Sequence, residues 1–165
     1  IIKAFFLISN DNKEKYQFNI VGDGSNLKNL KLISKNNPNI VFHGKKPRSK
    51  MASYYKASDF LIISLIDKPI FSLTVPAKTQ TYIVAKKPIL AIIKGDTASI
   101  VQDNNLGLCV DPSNINAIAK MFERCISMDK TEIANYTAEN DRLVSTIFNK
   151  KMTIEQLLKL VTAKI

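Results

Sequence analysis

Apolar residues fall along this chain in two rhythms. Short apolar runs, bounded by glycine, proline or asparagine, read as strands at residues 16–21, 39–42, 60–63, 88–93 and 107–110. Between them, apolar positions recur every three or four residues, the period of helices over 25–35, 49–57, 76–85, 97–103 and 114–126. Ser25 and Asn114 are the expected caps, and Pro76 suits a first helical turn. In the 25–35 helix Leu27, Leu30, Leu32 and Ile33 are expected to point inward. Residues 1–9 read as the end of an amphipathic helix. Residues 10–15 read as a polar loop, and 130–148 and 153–163 as closing helices. Residues 64–75 read as a long loop.

Alternation of this kind predicts an α/β fold: a Rossmann-like, three-layer α/β/α arrangement around an open parallel sheet. The run Phe60-Leu61-Ile62-Ile63 is apolar on both faces, as strands of a doubly covered sheet are. Ligands of such sheets bind beyond the carboxyl ends of the strands. The residues that follow 21, 42, 63 and 93 therefore matter most.

At 165 residues the chain can form one ordinary domain with a sizeable core. It has no apolar run long enough to cross a membrane. Cys109 and Cys125 make neither a disulfide framework nor a zinc cluster, and the lone His43 suits neither a metal site nor a two-histidine relay. No metal and no cofactor is expected.

Charge changes the picture more. The net charge is +10, and it is uneven: residues 1–58 carry +8, 59–100 carry +2, and 101–165 balance. The excess is densest at Lys45, Lys46, Arg48 and Lys50, a face suited to phosphates or an anionic membrane. Three arginines, without aromatic interleaving, fit nucleic-acid readout poorly, and no nucleic-acid partner is expected. Composition drift in a Lys/Asn/Ile-rich chain is the bland alternative.

Three strand-end segments hold candidate chemistry. Gly22-Asp23-Gly24 allows a tight turn and close backbone approach before a helix start, although for the bare tripeptide plain turn chemistry is the simpler reading. It lacks the Lys-Ser/Thr ending of a Walker loop and the third glycine of a dinucleotide motif. His43-Gly44-Lys45 follows the second strand, with a packed histidine the simpler reading. Ser72, Leu73, Thr74 and Val75 precede a helix whose N-terminal amides favour negative charge. Lys78 stands against the dipole just inside that helix, and Gln80 and Thr81 lie one turn on. No carboxylate pair, Ser/His/Asp set or Cys/His set emerges, so no catalytic residue is assigned.

The order of these motifs carries a resemblance. Ile20-Val21-Gly22-Asp23-Gly24 is followed by 39–44 (Asn-Ile-Val-Phe-His-Gly) and by 54–62 (Tyr-Tyr-Lys-Ala-Ser-Asp-Phe-Leu-Ile). Then come 76–82 (Pro-Ala-Lys-Thr-Gln-Thr-Tyr), Lys87-Pro88-Ile89-Leu90-Ala91, and Gly107 to Pro112. Over about residues 1–127 this resembles the C-terminal, donor-binding half of a GT-B glycosyltransferase of the retaining family 4 group. The 76–91 segment resembles bacterial transferases of O-antigen or capsule assembly, including those that transfer N-acetyl-L-fucosamine.

The resemblance implies a UDP-sugar donor, its base near His43-Gly44-Lys45 and its diphosphate at Ser72 to Val75, with Gly22-Asp23-Gly24 lining the same crevice. It implies a lipid-linked (undecaprenyl diphosphate) sugar acceptor, an N-terminal acceptor-binding domain outside this chain, and a cytoplasmic, peripheral location at the membrane. Residues 1–127 are expected to be the nucleotide-sugar domain without its first strand, and 128–165 its C-terminal helices, inactive alone. Two acidic residues usual in the family fall at Leu73 and Thr81, and a usual glycine falls at Lys86. Leu73 then implies an apolar contact, suited to a 6-deoxy sugar. The alternatives to a donor domain are a basic membrane-docking or polyanion-binding module.

Overall fold

The computed structural model describes residues 1–8, 16–35 and 37–162. The expected polar loop at 10–15 lies outside them. In chain order the elements are α1 (Ile2–Phe5), β1 (Phe18–Val21), α2 (Leu27–Ser34), β2 (Ile40–Gly44), α3 (Arg48–Ala57) and β3 (Leu61–Ser64). There follow α4 (Pro69–Ser72), α5 (Ala77–Val84), β4 (Ile89–Ile92), α6 (Asp96–Asp103) and β5 (Gly107–Val110). Helices α7 (Ile115–Ser127), α8 (Lys130–Asn135), α9 (Asn140–Ser145) and α10 (Lys150–Thr162) close the chain.

The strands are parallel and form two blocks, β1-β2 and β3-β4-β5. Side chains alternate across the sheet layer. In β4, Leu90 and Ile92 enter one core with α1, α7 and residues of β1 and β2; Ile89 and Ala91, with Ile93 just past the strand, enter a second core with α5, α6 and α9. Burying each such isoleucine contributes roughly 2–3 kcal/mol relative to exposure. The first core runs under both blocks, so they form one layer although no hydrogen-bond ladder joins them among the described residues.

Handedness orders that layer. Helix α2, between β1 and β2, packs on the first core, whereas α5 and α6, between the later strands, pack on the second. Right-handed crossovers on opposite faces progress in opposite directions, so the two blocks, β1 to β2 and β3 to β5, wind in opposite senses. The direction of winding reverses between them, the place where such sheets take ligands.

The predicted alternation holds, with local corrections. In α2, Asn26 is the N-cap in place of Ser25, and Leu32 is 77% exposed because only Leu30 and Ile33 lie on the core-facing stripe. Pro76 is the N-cap of α5 and does not open its first turn. The 64–75 loop contains the helical turn α4. Asn114 caps α7 as expected, accepting from the Ala117 amide at 2.9 Å. The expected 130–148 helix is two. Asp129 and Glu132 form a capping box for α8, and α9 begins at buried Asn140, whose Nδ2 donates to the Ile83 carbonyl at 2.9 Å. Asn149 receives the amides of Lys151 and Met152, starting α10 earlier than expected.

Candidate functional site

Because the strands of each block are parallel, the turns after β1 and β2 share one end of their block, and those after β3, β4 and β5 share one end of theirs. Two glycines shape the first pair. Gly22 (φ 141°) donates its amide to the Gly44 carbonyl at 2.9 Å, and Gly44 has φ 66°. Both are left-handed conformations that side chains resist. A Cβ at Gly22, Gly24 or Gly44 would meet no atom within 4 Å, so these turns present bare backbone to open space. Asp23 and Lys45 beside them are exposed.

His43 is held. Its Nε2 lies 2.7 Å from Asn19 Oδ1, and its ring meets Tyr54 edge-on at 5.1 Å. That supports a packed, orienting role over a free base. Lys45, Lys46, Arg48 and Lys50 are all exposed, and among the described residues none has an ion-pair partner.

The segment after β3 approaches from the other block. The amides of Leu73 and Thr74 both turn to the Phe71 carbonyl. Ser72 and Thr74 hydroxyls donate to the Pro69 and Ile70 carbonyls at 2.6 and 2.8 Å. Among the described residues, the amides of Val75, Ala77 and Lys78 have no backbone acceptor. Free donors thus overlap residues 72–75 only at Val75 and continue to Ala77 and Lys78. Leu73 is 76% exposed, and Lys78 and Gln80 project to solvent. Thr81 is exposed, its hydroxyl donating to the Ala77 carbonyl at 3.2 Å.

Three charged residues that the sequence reading passed over lie at this end. Lys94, after β4, reaches Asp67 Oδ2 at 2.7 Å and Asp111 Oδ2 at 3.3 Å. The Ser113 hydroxyl and amide, with Lys94, hold the Asp111 carboxyl below its ordinary pKa. Hydrogen bonds to both carboxylates hold the Lys94 ammonium above its own. Their position just past the strand ends was the available signal. Burial pushes the thiols of Cys109 and Cys125 up to about 11 and about 12, so neither offers a thiolate nucleophile near neutral pH. Among the described residues no cluster of three His, Cys, Asp or Glu side chains is placed to hold a metal ion. No helix there is long and apolar enough to cross a membrane.

The family profile described as Glycosyl transferases group 1 matches residues 1–144. The chain belongs to that family. WbjE of Pseudomonas aeruginosa, described as a probable glycosyltransferase, is 24% identical over 137 residues, covering 81% of this chain and 33% of WbjE. The structure of Anabaena HepE in complex with UDP superposes with a TM-score of 0.76 at 17% identity, over 98% of this chain and 44% of that one. The C-terminal domain of LpcC, a group 1 family protein of Francisella tularensis, superposes at 0.69 with 20% identity, over 90% and 77%. These likenesses show the fold to be the Rossmann-like half of a GT-B architecture. The chain spans about a third of WbjE and less than half of HepE.

Within this group 1 chain, the position of the family's usual glycine is informative. Lys86 has φ 51°, a left-handed conformation in which glycine carries no strain. The resemblance implies a glycine here, and this chain makes the left-handed turn with a lysine. Leu73 and Thr81 bring no carboxylate to the crevice.

Proposed function

We propose that this chain is the donor-binding half of a glycosyltransferase that takes a UDP-sugar. The carrying observation is that open glycine turns follow β1 and β2 while unpaired amides open α5 after β3. Bare backbone at Gly22, Gly24 and Gly44 lets a planar base and ribose approach closely. The amides of Val75, Ala77 and Lys78, at the start of an eight-residue helix, suit a diphosphate. Lys78 adds a mobile positive charge nearby. When the bond from sugar to diphosphate breaks, negative charge passes to the departing UDP, and fixed N–H donors stabilise it without reorganising. The neighbouring HepE was solved with UDP and with UDP-glucose, which supports this donor class.

The full reaction belongs to a longer enzyme. Its second half receives a lipid-linked (undecaprenyl diphosphate) acceptor, the transferred group is hexosyl, and the process is O-antigen or capsule assembly in bacteria. The present half alone turns nothing over. Exposed Leu73 favours a 6-deoxy donor such as an N-acetyl-L-fucosamine nucleotide. Preference for a 6-hydroxymethyl sugar in donor competition would remove that detail. The unpaired Lys45, Lys46, Arg48 and Lys50 suit an anionic membrane on the cytoplasmic side. Replacing all four should weaken binding to anionic liposomes.

The deciding experiment is a UDP titration of the isotopically labelled domain. Amide shifts centred on Gly22, Gly44, Val75, Ala77 and Lys78 are expected. Shifts confined to α8–α10, or none at millimolar UDP, would refute the assignment.

A further inference from the structure

The segment from Asp67 to Val75 leads into the free amides of α5, yet little burial holds it. Ile66, Ile70 and Leu73 turn outward, 71, 66 and 76% exposed. What it touches is the turn after β4, at three successive points. Lys94 Nζ bridges Asp67 to Asp111 at 2.7 and 3.3 Å, tying together the loops that follow β3, β4 and β5. Asp111 is itself fixed, receiving the Ser113 amide and hydroxyl at 2.8 and 2.7 Å. Gly95 (φ 81°) lies so close that a Cβ there would sit 1.9 Å from the Ser72 carbonyl oxygen. Fully buried Thr97 donates its hydroxyl to the Thr74 carbonyl at 3.0 Å.

We propose that Lys94 is a positioning residue: by gripping Asp67 against the anchored Asp111, it holds residues 67–75 so that the α5 amides face the diphosphate. This rests on the donor-binding reading above. Gly95 and Thr97 fix the far end of the segment by backbone and buried contacts, whereas its near end depends on the ion pairs. Lys94 is nearly half exposed, so its removal leaves the cores intact, and the cost falls on ordering of the segment.

The test uses Lys94→Met, Asp67→Asn and Lys94→Arg in the whole domain, with two readouts. In the free protein, amide exchange at Phe71 and Thr74 should speed up about tenfold in Lys94→Met and Asp67→Asn, with β4 amides unchanged and Lys94→Arg near wild type. With UDP, both disabling variants should bind several-fold to about tenfold more weakly. Unchanged exchange in both would overturn the proposal. Unchanged or tighter UDP binding by Asp67→Asn would also overturn it, because it would mean that a freed Lys94 meets the phosphate directly. If wild type fails to bind UDP while Lys94→Met still loosens residues 71–74, the donor reading falls and the latch stands.

Discussion

The glycines of this chain fall into two sets with opposite surroundings. Gly95 and Gly107 are hemmed in by backbone: a Cβ would lie 1.9 Å from the Ser72 carbonyl oxygen or 2.0 Å from that of Ile89. A Cβ at Gly22, Gly24 or Gly44 would meet nothing within 4 Å among the described residues. One set is needed to close the fold, and the other presents open backbone, which the proposed donor would use. Glycine in a strand-end turn is therefore ambiguous in sequence and separable in space.

The comparison is broken most severely at Gly107, which pairs with Ile89 across the β4–β5 ladder. Gly107→Ala should cost more than about 3 kcal/mol, seen as a fall in Tm of roughly 10 °C or loss of soluble protein. An unchanged Tm would show the crowding to be illusory. Gly44→Ala tests the open set. Its φ of 66° imposes about 1–2 kcal/mol of strain without a clash. The fold should survive, while UDP affinity drops as the methyl fills the crevice. Equal UDP binding by Gly44→Ala and wild type would remove Gly44 from the site.

Lys86 sharpens the contrast from the other side, being a side chain where glycine fits. Lys86→Gly should stabilise the domain by about 0.5–1 kcal/mol in urea unfolding, since the exposed pair with Asp141 contributes little. A loss of stability would mean that the pair outweighs the strain. The smallest expected effect is on pH dependence. Asp111 titrates lower folded than unfolded, so its stabilisation is present above the ordinary carboxylate pKa and fades as pH falls through the folded value. Asp111→Asn should flatten the acid limb of the stability curve slightly, and an identical limb would count against the bridge.

The fold was largely legible because its signals are local. The apolar run before Lys94 and the Asn114 cap are written in adjacent residues, and β4 and α7 lie where those residues put them. Errors came where tertiary contacts decide. Leu32 looked inward only because nothing in its neighbourhood says which stripe of α2 meets the core. The break between α8 and α9 follows from Asn140 reaching the Ile83 carbonyl, 57 positions away. The candidate site was readable only as loops after strands: the Leu73 and Thr74 amides are taken by the Phe71 carbonyl, and those of Val75, Ala77 and Lys78 are left without a backbone acceptor where Pro76 caps the helix. The grip of Lys94 on Asp67 and Asp111 joins three loops that no spacing rule connects.

Two strand blocks without a shared ladder also bear on how the chain reaches this state. Each block is closed by near neighbours in sequence, β1 to β2 through α2 and β3 to β5 through α5 and α6, so each can form early. Their union rests on α1 meeting α7, residues 2–5 against 115–127, with Phe5 stacked on Phe18 and tilted on Phe122. Closing so long a loop gains contacts only after most of the chain is ordered. Phe5→Leu should then quicken unfolding more than it slows folding, and a chevron dominated by its folding arm would contradict this order. Assembly is a matter of timing: two pieces zip first, and a clasp of aromatic rings fastens last.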